Sequence, residues 1–127
     1  MKLVSNQIKY WEYIRALRNE QTVKEGFIQQ GHISLWKHIR FMLRHGNCYY
    51  ICLEAGQPVG FVGQIEGDIR VAVEPGHQGK GVGKFMINTM MKKYPNSVAK
   101  VKLENEASIK LFESCGFEKK YYILEKD

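Results

Sequence analysis

The residues best able to do chemistry lie between Val73 and Gly83, Val-Glu-Pro-Gly-His-Gln-Gly-Lys-Gly-Val-Gly. Gly76, Gly79, Gly81 and Gly83 follow an extended run, Ile69 to Val73. They precede or open a helical pattern carried by Val82, Phe85, Met86, Thr89 and Met90. Consecutive backbone N–H groups in such a turn can converge on an anion, and the helix dipole adds about half a positive charge there. Glycine suits these positions because a side chain would hold phosphate oxygens off the backbone or force a strained φ. A pyrophosphate is the natural occupant, although glycine turns of purely structural purpose share this spacing.

Two rival phosphate loops do not fit. A nucleotide-hydrolysing loop needs G-x-x-x-x-G-K-[ST], but Gly76 and Gly81 are followed by Val82 and Gly83. A dinucleotide fingerprint belongs in a parallel βαβ unit near the N-terminus, whereas this turn follows a predicted antiparallel meander.

A second pattern lies downstream, Asn105-Glu106-Ala107-Ser108-Ile109-Lys110-Leu111-Phe112-Glu113-Ser114-Cys115-Gly116-Phe117. Together with Val73-Glu74-Pro75 and Gln78-Gly79-Lys80-Gly81-Val82-Gly83, it resembles the two signatures of the GNAT superfamily of acetyl-CoA-dependent N-acetyltransferases. The resemblance spans roughly residues 58 to 117 and implies an α/β (α+β) fold: a mixed, mostly antiparallel central sheet flanked by helices, with strands four and five splayed. It implies acetyl-CoA as cosubstrate and a small primary amine as acceptor.

Carried over by position, Val71, Ala72 and Val73 would pair through their backbone with pantetheine, and the N–H groups of Gln78 to Gly83 would hold the pyrophosphate. Asn105 and Ser108 would touch the pantetheine arm or the adenosine phosphates. Lys80 and Lys84 would be charge partners, and Phe112 would form a wall beside the cofactor. The amine attacks directly, so no cysteine nucleophile is needed.

The sequence departs from its relatives at Phe112, where many carry a tyrosine that protonates the departing thiolate. Tyr121, Tyr122 or water must then donate that proton, or the thiolate leaves with little help. Candidates for deprotonating the amine are Glu66 and Asp68, with His77 a poorer one; the alternative is that Glu66-Gly67-Asp68 is simply a polar turn. Arg18, Asn19 and Ile33-Ser34-Leu35-Trp36-Lys37-His38 are similar in order to the subgroup that acetylates nucleotide-linked amino sugars. Arg18, Asn19 and His38 would then bind the sugar nucleotide. Plain alternatives exist: Ser34 as a helix cap, Arg18 as a helix-end cation and a solvent-facing His38. A protein N-terminus or lysine is the rival acceptor, and a non-catalytic acetyl-CoA-binding module is the rival class.

The elements that must position these residues follow from periodicity. Ser5 or Asn6 should cap a helix with Ile8, Trp11, Ile14 and Leu17 on one face, ending near Asn19. A second helix should start at Ser34, bury Leu35, Trp36, Ile39, Met42 and Leu43, and stop at Gly46-Asn47. Strands are expected at 48–54, 58–65 and 69–73, joined by turns at Ala55-Gly56-Gln57 and Glu66-Gly67-Asp68. After the glycine loop come a helix over 82–94, a strand over 98–103, a helix over 105–114 and a last strand over 117–124. Relatives often carry two strands after the Gly-Phe, so one edge is left that a second subunit of a homodimer could cover.

Composition agrees with one domain over 1–127. With 127 residues and 44% hydrophobic residues, the chain can bury one core. No stretch reaches the roughly 18 apolar residues of a membrane span, and the first ten residues do not resemble a signal peptide, which predicts a cytoplasmic protein without membrane partners. The odd set Cys48, Cys52 and Cys115 lacks a CxxC pair, against disulfides and metal alike. The net charge of +6 favours an anionic partner, but the basic residues are scattered from Lys9 to Lys126, so no nucleic-acid partner is expected.

Overall fold

The computed structural model describes residues 1–24, 27 and 31–126. In chain order the elements are β1 (Lys2–Ser5), α1 (Ile8–Asn19), the short α2 (Gln21–Lys24), α3 (Leu35–His45), β2 (Tyr49–Glu54), β3 (Gln57–Ile65), β4 (Asp68–Val73), α4 (Val82–Lys93) and α5 (Glu106–Ser114). The four strands form one antiparallel sheet in the order β1-β2-β3-β4. Both predicted hairpin turns are present. Ala55-Gly56 has φ of 52° and 80°, and Glu66-Gly67 has φ of 51° and 83°, the paired positive angles that match the twist of the flanking strands.

The sheet is covered on both faces, which is why β3 is buried almost without alternation. Ile14, Leu17, Met42, Tyr49, Ile51 and Phe61 fill one side against α1 and α3. Cys52, Val62, Ile69, Met86, Ile87, Met90 and Phe112 fill the other against α4 and α5.

Several expectations are corrected. Strand β1 was not foreseen, because Lys2-Leu3-Val4-Ser5 is too short to show a period; pairing with Leu53, Cys52, Ile51 and Tyr50 makes it a strand. Neither Ser5 nor Asn6 caps α1: Gln7 occupies the cap position without a side-chain bond, and Asn6 Nδ2 donates to the Gly46 carbonyl at 3.1 Å instead. Ser34 does cap α3, accepting from Lys37 N–H at 3.3 Å. The buried face of that helix is different from the expected stripe. His38 and Met42 point inward, while Leu35, Trp36 and Leu43 are 49%, 72% and 73% exposed. Docking against α1, where the Trp11 carbonyl offers the His38 ring a partner, sets the helix's rotation.

Residues 98–103 and 117–124 do not form strands among the described residues. Val98 makes a single parallel bridge to Asp68, with Ile69 N–H donating to Val98 O at 2.9 Å and Val98 N–H to Gly67 O at 2.8 Å. A ladder is a property of two backbones, and beyond Val98 the two diverge. Residues after Phe117 find no backbone partner among those described, leaving Tyr121, Tyr122, Ile123 and Leu124 exposed.

Candidate active site

The glycine turn is built as the anion chemistry requires. Gly79 and Gly81 have φ of 77° and 84°, and a Cβ at either would meet no atom within 4 Å, so the surface above them is open. Gly81 caps α4 in the left-handed region, and the N–H groups from Gly79 to Lys84 have no backbone acceptor among the described residues. Gln78 is turned inward toward the strand, its Nε2 lying 3.4 Å from Val73 O. An open, unpaired row of N–H groups at the start of a twelve-residue helix fits a pyrophosphate in shape and sign.

Strand β4 carries a second unpaired row. Glu74 N–H donates to Val59 O at 2.9 Å, which with the register Phe61↔Ala72 and Val62↔Val71 fixes the alternation. The backbone of Arg70 and Ala72 faces β3, whereas that of Ile69, Val71 and Val73 faces away. The Ile69 N–H is satisfied by Val98 O. Val71 and the Val73 N–H have no backbone partner among the described residues, so the free edge begins where the bridge ends. Ala72, grouped with its neighbours on the sequence, is committed to Phe61.

Beside that edge opens a cleft of about 230 Å³ lined by Arg18, Phe27, Asp68, Ile69, Arg70, Val71, Lys100, Val101, Asn105, Ser108 and Phe112. Thus Val71, Asn105, Ser108 and Phe112, singled out for the cofactor, share one space with Asp68 and Arg18, singled out for the acceptor. Glu66 is exposed at the hairpin tip, His77 sits in the turn before the glycines, and Tyr121 is 91% exposed; none lines the cleft. Asn19 and His38 also lie outside its lining. Asn19 accepts from Ile33 N–H at 2.8 Å and donates to Ile33 O at 3.0 Å, tying the end of α1 to the chain before α3. The His38 ring is 4% exposed, with Nε2 2.6 Å from Trp11 O, which requires that this nitrogen carry a proton and donate it.

Phe112 and the Gly-Phe pair are one structural device. Gly116, at φ 94°, ends α5; its N–H donates to Glu113 O at 3.0 Å and the Phe117 N–H to Phe112 O at 3.1 Å. These are the two bonds of a Schellman cap, and its usual apolar contact is the edge-on packing of Phe112 and Phe117, 5.1 Å between ring centroids. At the other end Asn105 Oδ1 accepts from Ser108 N–H at 3.2 Å as the N-cap. The second signature therefore specifies a short helix closed at both ends that presents Asn105, Ser108 and Phe112 to the cleft.

Arg70, Lys100 and Val101 line the cleft and were missed as site residues. Arg70 is an alternating residue of a strand and Lys100 one of many lysines; only the fold puts them beside Arg18. Among the described residues no group of His, Cys, Asp and Glu is placed to hold a metal, and no helix is long and apolar enough to cross a membrane.

Burial pushes the His38 pKa below its ordinary 6.5, more than the Trp11 carbonyl and the Glu12 carboxylate raise it. The folded chain thus resists a proton that the unfolded chain accepts near pH 6.5. The stability this contributes is complete above that pH and is lost as pH falls toward the lower folded value. Melting temperature is expected to drop between pH 7 and 5, with a shallower drop in His38→Gln, whose amide can still donate to Trp11 O but does not titrate. Equal slopes in the two proteins would exclude His38 as the source.

The site and fold define an acyltransferase of known type. The sequence pattern of the acetyltransferase (GNAT) family matches residues 11–117, and the chain belongs to that family. No curated protein matches the sequence significantly. Among solved structures it is similar to spermidine N-acetyltransferase from Vibrio cholerae in complex with CoA and spermine, with 21% identity over 98% of this chain and 85% of that one, at a TM-score of 0.83. A domain from Methanocaldococcus jannaschii shares 23% identity over 94% of this chain and 88% of its own, with a TM-score of 0.82. Ribosomal-protein-alanine N-acetyltransferase from Brucella melitensis gives 18% identity, 93% and 85% coverage, and a TM-score of 0.79. At these identities the likeness is one of fold.

Proposed function

We propose that the enzyme transfers the acetyl group of acetyl-CoA to a primary amine by direct attack in the cleft beside β4. One observation carries the reading: the unpaired edge of β4 at Val71 and Val73 leads from the cleft to the open row of N–H groups at Gly79 to Lys84. Bound acetyl-CoA supplies a thioester carbonyl, the electrophile. The loop amides from Gln78 to Gly83 hold its pyrophosphate, with exposed Lys80 and Lys84 as charge partners. The edge groups of Val71 and Val73 pair with the pantetheine arm as an added strand would, flanked by Asn105, Ser108 and Phe112.

Asp68 is the acid–base candidate within the cleft, placed to take a proton from the ammonium of the acceptor. Phe112 has no proton to give. A thiolate with an ordinary pKa of roughly 8.5 leaves without strong acid assistance, so an apolar wall at this position is compatible with turnover. Phe112→Tyr is expected to keep the fold and to raise kcat where thiolate protonation limits the rate. A fall of about a hundredfold in a stable variant, near 2.7 kcal/mol of barrier, would instead mean that the position demands an apolar ring.

For the acceptor, a nucleotide-linked amino sugar is the reading motivated by Arg18 and the residues after it. Protein N-termini or lysines are the alternative, and a non-catalytic acetyl-CoA-binding module the rival class. Release of CoA thiol with UDP-linked amino sugars, peptides and spermidine separates them. Acetylation of peptides without any of the sugars ends the sugar reading; acetyl-CoA binding with no thiol release from any amine leaves the binding module.

A further inference from the structure

We infer that the acceptor carries an anionic group beside its amine, a carboxylate or a phosphate, and that Arg18 and Arg70 together recognise it. This rests on the reading of the chain as an acetyl-CoA-dependent N-acetyltransferase and names the class of its substrate.

The cleft lining holds three basic side chains, Arg18, Arg70 and Lys100, against one acid, Asp68. Arg18 stands in the last turn of α1, which Asn19 locks to Ile33. Its half-buried guanidinium stacks 4.3 Å from the centroid of the Phe27 ring, which orients the planar fork without neutralising it. Among the described residues Arg18 has no ion pair and no side-chain hydrogen bond; Glu25 lies outside them. Arg70 is also half-buried, with Asp68 at a long 3.7 Å from its Nε and the Tyr49 hydroxyl as a further side-chain partner. Burial lowers the Arg18 pKa, and the Arg70 charge adds to that lowering, so the two side chains are close enough to interact. Asp68 offsets one of these charges; the second stays unfavourable in a half-dry cleft unless a further anion joins it.

The phosphates of the cofactor are a poor candidate for that anion. They belong to the loop after the C-terminal end of β4, while Arg70 lies near its start, and three residue steps along the strand take the chain from Arg70 to Val73, roughly 10 Å. A planar guanidinium pair instead suits bidentate bonds to a carboxylate or phosphate on the acceptor. The same charges repel a polycation, so this cleft should refuse the polyamines.

The test compares amines that differ only in the anion: 2-aminoethyl phosphate against ethanolamine, and glutamate against its diamide, with spermidine as the cationic extreme. The anionic member of at least one pair should be acetylated with kcat/KM about tenfold or more above its neutral isostere, the phosphate and carboxylate pairs telling which anion is read. In Arg18→Gln and in Arg70→Gln that selectivity ratio should collapse toward one, chiefly through KM, while the acetyl-CoA Kd measured by calorimetry shifts by less than about twofold. Calorimetry on the wild-type protein should show the preferred anionic amine binding about tenfold or more tightly than its neutral isostere, a comparison that needs no variant and so also covers the case of a variant too unstable to assay. Preference for spermidine or the neutral isosteres overturns the inference while sparing the enzyme reading. No thiol release with any amine, and no binding of the anionic ones, overturns both.

Discussion

A Gly81→Glu protein is expected to lose acetyl-CoA binding by about a hundredfold or more, which corresponds to roughly 2.7 kcal/mol. Gly81 caps α4 with φ at 84°, and the space above it is empty of protein atoms. A glutamate there puts bulk over the N–H row and a negative charge at the site proposed for the pyrophosphate. The left-handed backbone adds a stability cost of about 1 kcal/mol, too small to unfold an ordinary domain. Gly81→Asn separates the causes, since asparagine tolerates that conformation, serves as an N-cap and carries no charge. It should lose clearly less affinity than Gly81→Glu, the difference reporting the charge, since its smaller side chain obstructs the N–H row without repelling the phosphates. Unchanged calorimetric affinity in a folded Gly81→Glu protein would falsify the placement of the cofactor on this loop.

The largest expected loss of stability is that of Gly60→Val, more than about 3 kcal/mol, or a fall in melting temperature of roughly 10 °C or more. A Cβ at Gly60 would stand 2.6 Å from the Ala72 carbonyl oxygen and 2.9 Å from Met86 Cε. The methionine end can swing away, but the carbonyl is part of the β3–β4 ladder. Relief therefore requires β4 to shift from β3 or α4 to lift from the sheet, where Met86 is fully buried. Either movement displaces the free edge of Val71 and Val73 and the loop behind it, so acetyl-CoA affinity should fall together with stability. Gly56→Ala is the control: its φ of 80° makes it strained, yet no atom lies within 4 Å of its Cβ. It should cost only about 1 kcal/mol and leave binding intact, because the hairpin tip is remote from the edge. A Gly60→Val melting temperature within a few degrees of wild type would show that the sheet can absorb the side chain.

Legibility of the site followed the range of the interactions that build it. The glycine loop is made by residues adjacent in sequence: positive φ at Gly79 and Gly81 and the N–H groups at the start of α4 that lack an intrahelical acceptor need nothing from elsewhere in the chain. The same holds for α5, whose Asn105 cap and Gly116-Phe117 closure are contacts over three to five residues. Gly56 and Gly67 supply the left-handed backbone that two hairpin turns need, while Ala55 and Glu66 adopt positive φ beside them against their own preference. Such features are written in residue type and spacing, and they carried the family resemblance and the general architecture.

What the sequence alone determined is therefore the local geometry of the cofactor side: strand, glycine turn, helix, and a second helix capped at both ends. The tertiary structure decided the rest, because it depends on which distant backbones and side chains meet. Lys2 to Ser5 is a strand only beside β2, and 98–103 is not one because the chain after Val98 makes no further bridge to β4, which stays paired with β3 through Val73. The buried face of α3 was settled by the Trp11 carbonyl and the packing of α1, against the apolar appearance of Leu35, Trp36 and Leu43. Arg18 and Arg70 are ordinary residues at a helix end and on a strand, more than fifty positions apart. Their charge becomes chemically meaningful only when α1 and β4 bring them into one cleft whose lowered polarity strengthens every interaction within it.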